Sequence, residues 1–236
     1  MTEGRDAGRV LVVTGASTGI GEATARAAAG AGWRVVLAAR SAGRLEDLAQ
    51  SLGGPGHALA VRCDVAEWAD QARLRDAALD AFGRIDAVFA NAGFVKGSPI
   101  LGGEDSPEAW REMILVNVYG AAVTARLFLP ELVRTKGHFL VTGSVVGHIS
   151  PPANLYSATK WAITGMAESI RKALVGTGVR TTLVSPGKVD TPFWDRVPDE
   201  PLLAPGDVAR AVLFALESPP GVDVSEVLVR PTGQPN

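Results

Sequence analysis

Seven short apolar runs, separated by segments with helical patterning, most constrain how this chain of 236 residues can fold. Each run is rich in valine, leucine, isoleucine or alanine, and such continuous runs are typical of strands that other elements cover on both faces. The runs lie at residues 10–13, 34–39, 58–63, 85–90, 139–142, 180–185 and 226–229. They predict a sheet of buried strands.

The intervals between these runs carry apolar residues at helical spacing. Leu45, Leu48 and Leu52, for example, share one face of a helix. A strand that is followed by a helix and then by another strand forms a right-handed unit whose two strands are parallel. The alternation therefore predicts an α/β fold with a doubly wound, mostly parallel sheet. A chain of this length needs one domain, which we expect to span residues 9–236.

Composition and charge favour a compact protein that binds small molecules. Hydrophobic residues make up 47% of the chain and charged residues 20%, which is typical of globular rather than disordered proteins. The formal net charge of −2 offers no electrostatic basis for binding nucleic acid or an anionic membrane. Residues 1–8 are polar, lack the apolar centre of a signal peptide and predict a short flexible leader.

The cysteine, histidine and hydropathy patterns each argue against a class of protein. Cys63 is the only cysteine, so no intrachain disulfide can form and a reducing compartment is expected. His57, His138 and His148 are scattered along the chain and predict no metal site. No run approaches the ~18 apolar residues that span a membrane. We therefore expect a cytoplasmic protein.

The first apolar run leads into a glycine-rich turn, Gly15-Ala16-Ser17-Thr18-Gly19-Ile20-Gly21, and then into an alanine-rich helix. Glycine lets the backbone turn tightly and approach a ligand closely, and a helix N-terminus offers unpaired N–H groups and a positive dipole end to a pyrophosphate. A glycine triplet alone could be a structural turn, but its position between a strand and a helix favours dinucleotide binding. We expect residues 15 and 17–21 to hold a cofactor.

The end of the second run predicts which cofactor binds. An acidic residue about 20 residues beyond the glycines would accept hydrogen bonds from the 2′-hydroxyl of the adenosine ribose. Here Ala39 is followed by Arg40, whose guanidinium suits a 2′-phosphate instead. The alternative is that Arg40 is a solvated loop charge. We expect NADP(H) to be preferred over NAD(H), with Ser17 as a second phosphate contact.

Two further strand ends carry candidate cofactor contacts. Asp64-Val65-Ala66-Glu67 fits a helix N-cap with a glutamate three residues later, and Asp64 is also placed to face an adenine. Asn91-Ala92-Gly93 is an ordinary turn by itself, but ligands bind beyond the carboxyl ends of parallel strands. That position favours a cofactor floor at residues 91–93.

A polar residue interrupts a long apolar helix. Ser106 and Pro107 predict the start of a helix that runs toward Leu132. Asn117 lies within it among apolar neighbours. A buried asparagine needs hydrogen-bond partners, so it either caps a local irregularity or holds a water or a ligand. The spacing does not decide between these alternatives.

Tyr156 and Lys160 are four residues apart and therefore share one face of a helix. A free phenol has a pKa of about 10, and a nearby cation favours the phenolate and lowers that pKa. The pair predicts a general acid/base unit, although such pairs are also common on solvated helices. The fifth apolar run brings Ser144 to the same ligand edge, so three functional groups converge.

The segment at residues 188–205 predicts a mobile lid over a substrate, because it is long, rich in proline and carries large apolar side chains. Arg196 within it either is solvated or binds a carboxylate. We expect a partly apolar substrate pocket, and packing is the alternative role for each of its candidate residues. The candidates are Phe94, Val95, His148, Phe193 and Trp194.

Together these motifs resemble those of the short-chain dehydrogenase/reductase family along residues 10–231. The resemblance rests on the order and approximate spacing of several motifs. These are the segment from Thr14 to Gly21, Asp64-Val65, Asn91-Ala92-Gly93, Asn117, Ser144, Tyr156-x-x-x-Lys160 and Pro186-Gly187-x-Val189-x-Thr191. The ending at residues 226–232 resembles, less specifically, the subgroup of NADP-dependent 3-hydroxy acid dehydrogenases.

The resemblance implies a Rossmann fold and a role for each matching residue. Tyr156 would donate or accept the proton, Ser144 would orient and polarise the substrate carbonyl, and Lys160 would hold the nicotinamide ribose. Asn117 would position a water in the proton relay. The expected adenine contacts are Asp64 and Val65, and the expected contacts at the nicotinamide end are Pro186, Gly187, Val189 and Thr191.

The chain departs from the family pattern in two places. Gly143-Ser144 stands where the family usually has two serines, and the loop from Ser144 to Tyr156 is one residue shorter than usual. The family usually assembles as dimers or tetramers through helices that here span about residues 107–133 and 153–174. The alternative is that the apolar faces of these helices only cover the sheet.

The leading hypothesis is an NADP(H)-dependent oxidoreductase that moves a hydride between nicotinamide and a carbonyl or secondary alcohol. A catalytically silent NADP-sensing protein on the same fold is the alternative. The acid/base pair argues against a sensor, which needs only the glycine turn. A sugar-nucleotide epimerase or dehydratase is disfavoured by the glycine spacing and the short C-terminal region.

Overall fold

The computed structural model describes residues 8–96, 99–102, 106–194 and 199–234. Within these ranges seven strands form one fully parallel sheet. The strands are β1 (Val10–Thr14), β2 (Arg34–Ala39), β3 (Ala58–Arg62), β4 (Ala87–Ala90), β5 (His138–Thr142), β6 (Arg180–Pro186) and β7 (Glu226–Val229). Their spatial order is β3-β2-β1-β4-β5-β6-β7. The predicted α/β fold with a doubly wound parallel sheet is confirmed.

Helices cover both faces of the sheet. They are α1 (Gly19–Gly30), α2 (Ala42–Ser51), α3 (Trp68–Phe82), α4 (Pro107–Ile114), α5 (Ala121–Thr135), α6 (Leu155–Ala173) and α7 (Pro205–Glu217). Side chains of α3, α5 and α6 form one core with one face of the sheet, and side chains of α1, α2 and α7 form a second core with the other face. The chain is one domain with two cores separated by a sheet.

Strand β1 shows why the apolar runs are continuous. Successive side chains of a strand point to opposite faces, so Val10 and Val12 lie in one core while Leu11 and Val13 lie in the other. All four side chains are fully buried. The central strand therefore has no solvated face that would tolerate alternating polar residues.

The expected helix start at Asp64 is wrong. Helix α3 begins at Trp68 and has Glu67 as its N-cap. Asp64 Oδ1 instead accepts a hydrogen bond from Ala66 N at 3.0 Å, and Asp64 N donates to Asp70 Oδ2 at 3.0 Å. The side chain of Asp64 thus closes a turn two residues on, as aspartates commonly do, and the helix starts only after that turn.

The helix that opens at Ser106 and Pro107 is interrupted. Ser106 Oγ accepts from Ala109 N at 3.3 Å and so caps the helix whose start was predicted here. A π-helical segment, Leu115–Gly120, then joins α4 to α5. The whole helical run Pro107–Thr135 is long and apolar enough to cross a membrane, contrary to the sequence expectation, but 56% of its most apolar window is buried inside the protein. It packs as a core helix against the sheet.

Candidate active site

The carboxyl ends of β1, β4 and β5 are tied together by side chains. Asn91 Nδ2 donates to Thr14 O at 3.0 Å, and Asn91 Oδ1 accepts from Thr142 Oγ1 at 3.1 Å. Thr14 Oγ1 in turn accepts from the backbone N–H groups of Asn91 and Ala92, at 3.0 and 3.1 Å. The amide of Asn91 therefore holds the floor of the site together, and residues 91–93 present their backbone to the ligand edge.

The glycine turn between β1 and α1 leaves space that side chains would fill. A Cβ at Gly15 would lie 2.9 Å from Ala92 Cα, and one at Gly21 would lie 2.2 Å from Gly15 O. Gly15 and Gly19 have φ of +66° and +58°, which favours glycine. Among the described residues no side chain caps α1 at Thr18. The first N–H groups of α1 thus remain available to a pyrophosphate, so the turn fits a dinucleotide.

Thr191 brings the segment after β6 onto this turn. A Cβ at Gly19 would lie 2.9 Å from Thr191 Cγ2, so the methyl group of the threonine rests against the glycine. Asp190 N donates to Leu203 O at 2.9 Å and Leu203 N donates to Lys188 O at 2.9 Å. The two ends of the expected lid are therefore paired at its base, and Val189 is buried there. Residues 195–198, including Arg196, lie outside the described residues, as do residues 1–7 of the expected leader.

Ser144 and Tyr156 face each other across the ligand edge. Ser144 is buried, and its Oγ accepts from Val146 N at 3.3 Å at the start of a short 3₁₀ turn. Tyr156 lies in the first turn of α6, whose N-cap Asn154 accepts from Ser157 N at 2.8 Å. Burial raises the pKa of Tyr156 above its usual 10.0, and a hydrogen bond with Ser144 acts in the opposite direction.

Lys160 lies one turn further along α6 and is buried. Its Nζ donates to Thr142 O at 2.8 Å and lies 5.7 Å from the centre of the Tyr156 ring. Burial lowers the pKa of Lys160 from 10.5 to about 8. The expectation that Lys160 lowers the pKa of Tyr156 is thus not met by the protein alone, because removal of the phenol from water dominates.

Asn117 lies in the π-helical segment and joins it to the loop after β4. Its Oδ1 accepts from Phe94 N at 3.0 Å, and its Nδ2 donates to Phe94 O at 2.9 Å and to Thr159 Oγ1 at 3.3 Å. A Cβ at Gly93 would lie 3.2 Å from Asn117 Oδ1 and 3.7 Å from Lys160 Nζ. Of the two alternatives left open by the sequence, the local irregularity is present, and it brings Asn117 close to Lys160.

Phe193 lies against the ring of Tyr156, and Trp194 lies against Phe193. The rings of Phe193 and Tyr156 are 5.6 Å apart, and those of Phe193 and Trp194 are 5.2 Å apart in an edge-on arrangement. Trp194 Nε1 donates to Val189 O at 2.8 Å, which fixes the indole against the segment after β6. These two expected substrate residues are therefore brought to the acid/base pair.

The other expected substrate residues have different surroundings. Phe94 packs against the core that contains α3, α5 and α6, and Val95 is half-buried beside it. His148 Nε2 lies 2.7 Å from Glu226 Oε1 and 3.2 Å from Ser185 Oγ. The structure thus joins His148 to β6 and β7, because the 3₁₀ turn after Ser144 directs the chain toward that side of the sheet.

On the adenosine side, Arg40 follows β2 and Asp64-Val65 follows β3. Arg40 is exposed, and its Nη1 donates to Glu112 Oε1 at 3.2 Å. Val65 is buried against the end of the π-helical segment: a Cβ at Gly120 would lie 2.9 Å from Val65 Cγ2. Ser17 is half-buried in the glycine turn.

Comparison with known proteins decides the family. The family model described as short chain dehydrogenase matches residues 9–201. The chain belongs to the short-chain dehydrogenase/reductase family. Among curated proteins, a bovine dehydrogenase/reductase SDR family member 11 is 36% identical to this family member, covering 96% of this chain and 97% of that protein. An uncharacterized oxidoreductase from Listeria monocytogenes is 33% identical, covering 96% of this chain and 98% of that protein.

Solved structures of short-chain dehydrogenases/reductases agree in fold and in type of cofactor. An alcohol dehydrogenase from Thermococcus sibiricus, complexed with 5-hydroxy-NADP, superposes with a TM-score of 0.87 at 36% identity, covering 97% of this chain and 98% of that one. A 3-ketoacyl-(acyl-carrier-protein) reductase from Brucella melitensis, complexed with NADH, has a TM-score of 0.87 at 26% identity, covering 96% and 98%. This short-chain dehydrogenase/reductase is therefore an oxidoreductase that uses a nicotinamide cofactor and acts on CH–OH or C=O groups.

The sequence interpretation did not assign the structural roles of several residues that build this short-chain dehydrogenase/reductase site. Thr14 and Thr142 end β1 and β5 and hold Asn91, and the available signal was a hydroxyl residue at the last position of each buried strand. The structure also explains why glycine stands at position 143, where the family usually has serine. A Cβ there would lie 2.8 Å from Leu183 Cδ1 and 2.9 Å from Ser185 Oγ, so β6 fills the space.

Proposed function

We propose that this protein is an NADP(H)-dependent carbonyl reductase in which Tyr156 is the general acid. The observation that carries the proposal is the meeting of Ser144, Tyr156, Lys160 and Asn117 at the carboxyl end of β5, next to a glycine turn that fits a dinucleotide. A phenol, a hydroxyl and an ammonium in one partly dry cleft are the groups that proton transfer to a carbonyl oxygen requires.

The chain's own residues supply the proton and the orientation. Bound nicotinamide supplies the hydride for the carbonyl carbon. The Ser144 hydroxyl donates a hydrogen bond to the carbonyl oxygen, and the Tyr156 hydroxyl transfers its proton to that oxygen, which leaves an alcohol and a phenolate. Because burial raises the pKa of Tyr156, the phenol carries the proton that it donates when a carbonyl is reduced.

Lys160 and Asn117 restore the proton. The ammonium of Lys160 stabilises the phenolate electrostatically and gives up a proton readily, since its pKa is lowered to about 8. Asn117 Oδ1 uses one lone pair for Phe94 N and has a second lone pair for a water that links Lys160 to solvent. Phe193 and Trp194 close the cleft over Tyr156 and exclude water from the proton transfer.

Arg40 supports the preference for NADP(H). It follows β2 directly, at the position where an acid would bind an unphosphorylated ribose, and its guanidinium is accessible. A guanidinium binds a 2′-phosphate through charge-assisted hydrogen bonds, but it cannot accept a hydrogen bond from the 2′-hydroxyl of NADH as a carboxylate would.

We also propose that the protein assembles as a homodimer or homotetramer through α4, α5 and α6. The support is a set of large apolar side chains on the outer surfaces of these helices and of the π-helical segment, each more than 40% exposed: Ile114, Tyr119, Val133 and Trp161. Light scattering after gel filtration tests it, with monomer as the contradicting result. Substitution of Trp161 by aspartate should shift the mass toward the monomer.

Oxidation of NADPH and NADH across a panel of aldehydes, ketones and 3-oxo acids tests the catalytic proposal. Tyr156→Phe should lower kcat by about 10²–10⁴-fold, the contribution typical of a general acid. Tyr119→Phe is the matched control, because Tyr119 is the chain's other tyrosine and is exposed. Tight binding of NADPH by the wild type without turnover of any carbonyl would instead indicate a sensor. If Tyr156→Phe turned over a carbonyl as fast as Tyr119→Phe, Tyr156 would not be the general acid.

A further inference from the structure

The guanidinium proposed to bind the 2′-phosphate is already paired with a carboxylate. Arg40 Nη1 and Glu112 Oε1 are 3.2 Å apart, and the two residues are separated by 72 positions in the chain. Both side chains are about half exposed, at 60% and 49%. Neither the nucleotide-binding turn nor the acid/base pair uses Glu112, and the sequence motifs do not include it.

The pair spans the adenosine side of the site. Arg40 follows β2, and Val65 follows the neighbouring strand β3. Glu112 lies on α4, and the π-helical segment that continues α4 packs its Gly120 on Val65. The Arg40–Glu112 contact therefore connects the end of β2 to the helix that borders the expected adenine contacts.

A bound 2′-phosphate and Glu112 compete for the same donors. A guanidinium has a fixed fork of N–H groups, and the carboxylate of Glu112 occupies Nη1. A 2′-phosphate must displace this carboxylate or accept a second negative group beside it, whereas a 2′-hydroxyl leaves the pair intact. The cost therefore falls on NADP(H) and not on NAD(H).

We propose that Glu112 is a specificity-determining residue that weakens the binding of NADP(H) and so narrows its advantage over NAD(H). This inference rests on the proposed role of Arg40 as the phosphate-binding residue. Exposed ion pairs contribute little to free energy, so we expect Glu112→Gln to lower the Kd of NADPH by about two- to fivefold. The Kd of NADH should stay unchanged.

Fluorescence titration of NADPH and NADH, without a carbonyl substrate, measures both constants independently of turnover. Glu46→Gln is the matched control, because Glu46 is an exposed carboxylate on α2, six residues beyond Arg40 in the chain. It should leave both constants unchanged, whereas a general effect of removing negative charge would appear in both variants. In an Arg40→Met background, Glu112→Gln should lose its effect, because the pair no longer exists.

The outcomes separate this inference from the proposal on which it rests. Arg40→Met alone should raise the Kd of NADPH at least about tenfold, the loss expected for hydrogen bonds to a charged group. If Arg40→Met weakens NADPH binding while Glu112→Gln has no effect or raises the Kd of NADPH, the role of Glu112 is wrong and that of Arg40 stands. If Arg40→Met leaves the ratio of the two constants unchanged, both roles are wrong.

Discussion

The two ends of the central sheet differ in how they treat particular buried charged groups. At the amino end, Asp86 accepts hydrogen bonds from Val10 N at 2.9 Å and from two guanidinium nitrogens of Arg84 at 2.9 and 2.6 Å. Arg180 begins β6 at the same end and donates to three carbonyl groups at the end of α7. The protein itself satisfies these charges.

At the carboxyl end, a buried ammonium has more N–H donors than it has hydrogen-bond partners among residues 8–96, 99–102, 106–194 and 199–234. Lys160 has three N–H donors, and Thr142 O accepts one of them. Burial lowers the pKa of Lys160 to about 8 and raises that of Tyr156. Buried charged groups that are hydrogen-bonded within the protein stabilise the fold. The buried groups of the site, in contrast, are already shielded from water and keep hydrogen-bonding capacity for a ligand. Substitutions at the two ends should therefore separate activity from stability.

The largest expected effect is that of Lys160→Met on activity. Without the ammonium, the phenolate of Tyr156 loses an adjacent cation, so we expect kcat/KM to fall at least about 100-fold. Stability should not fall by more than about 1 kcal/mol, because methionine removes a buried charge and keeps most of the volume. Steady-state kinetics and thermal unfolding of one preparation measure both. Lys172→Met, on the exposed part of α6, is the control.

Arg180→Met should give the reverse result. Its guanidinium donates to Ala215 O, Leu216 O and Ser218 O at 2.9, 3.1 and 3.0 Å. Removal of hydrogen bonds from a charged group to carbonyls at a helix end should lower the free energy of unfolding by about 3 kcal/mol. The constants kcat and KM should stay within about twofold of wild type below the unfolding transition. A large change in kcat would contradict the separation of the two ends.

Gly143→Ser tests a position at the carboxyl end where packing, not chemistry, fixes the residue. The added side chain restores the usual serine of the family, but its Cβ would lie 2.8 Å from Leu183 Cδ1. We expect a loss of about 1–3 kcal/mol in stability, the usual cost of overpacking, and little gain in activity. Chemical denaturation measures the loss. An unchanged denaturation midpoint would contradict this prediction and show that the side chain of Leu183 moves aside at little cost.

His138 should make the amino end sensitive to acid. It is buried, its Nε2 lies 2.7 Å from Thr182 Oγ1, and burial together with Arg180 lowers its pKa well below 6.5. Unfolded chains bind the additional proton once the pH falls below about 6.5, so stability is complete above that pH and is lost below it. The slope is at most about 1.4 kcal/mol per pH unit for one proton.

Denaturation of His138→Phe between pH 4 and 7 measures this contribution. The variant should lose stability less steeply than wild type as the pH falls. His57→Phe, at an exposed position, should follow the wild-type curve. Parallel curves for wild type and His138→Phe would contradict the assignment.

Local patterns predicted the fold because each buried strand reads as an apolar run and each run ends at the same edge of the sheet. The fully buried residues of β1 are the clearest example. The same reasoning predicted that Ser144 and Tyr156 lie close together. Residues that follow one parallel strand lie at the same edge of the sheet as residues that follow the neighbouring strands. Periodicity and strand direction carry this information without any knowledge of side-chain contacts.

Other features depend on contacts between distant segments and were not predictable. The pKa of Tyr156 rises because surrounding segments exclude water, and a tyrosine–lysine spacing alone predicts the opposite direction. His148 meets Glu226 only because β7 lies beside β6. Each outcome is decided by a partner that no local window contains.

The structure of the π-helical segment Leu115–Gly120 depends on the number of residues it contains. Loss of one residue there would allow α4, the segment and α5 to form one continuous α-helix, which would change the positions of the residues inside the segment. Asn117 would then leave Phe94 and Thr159. Surface loops tolerate insertions and deletions readily. In this segment, deletion of a single residue would displace Asn117, although the residues around it would stay the same. We therefore expect substitutions to be tolerated in this segment more readily than deletions.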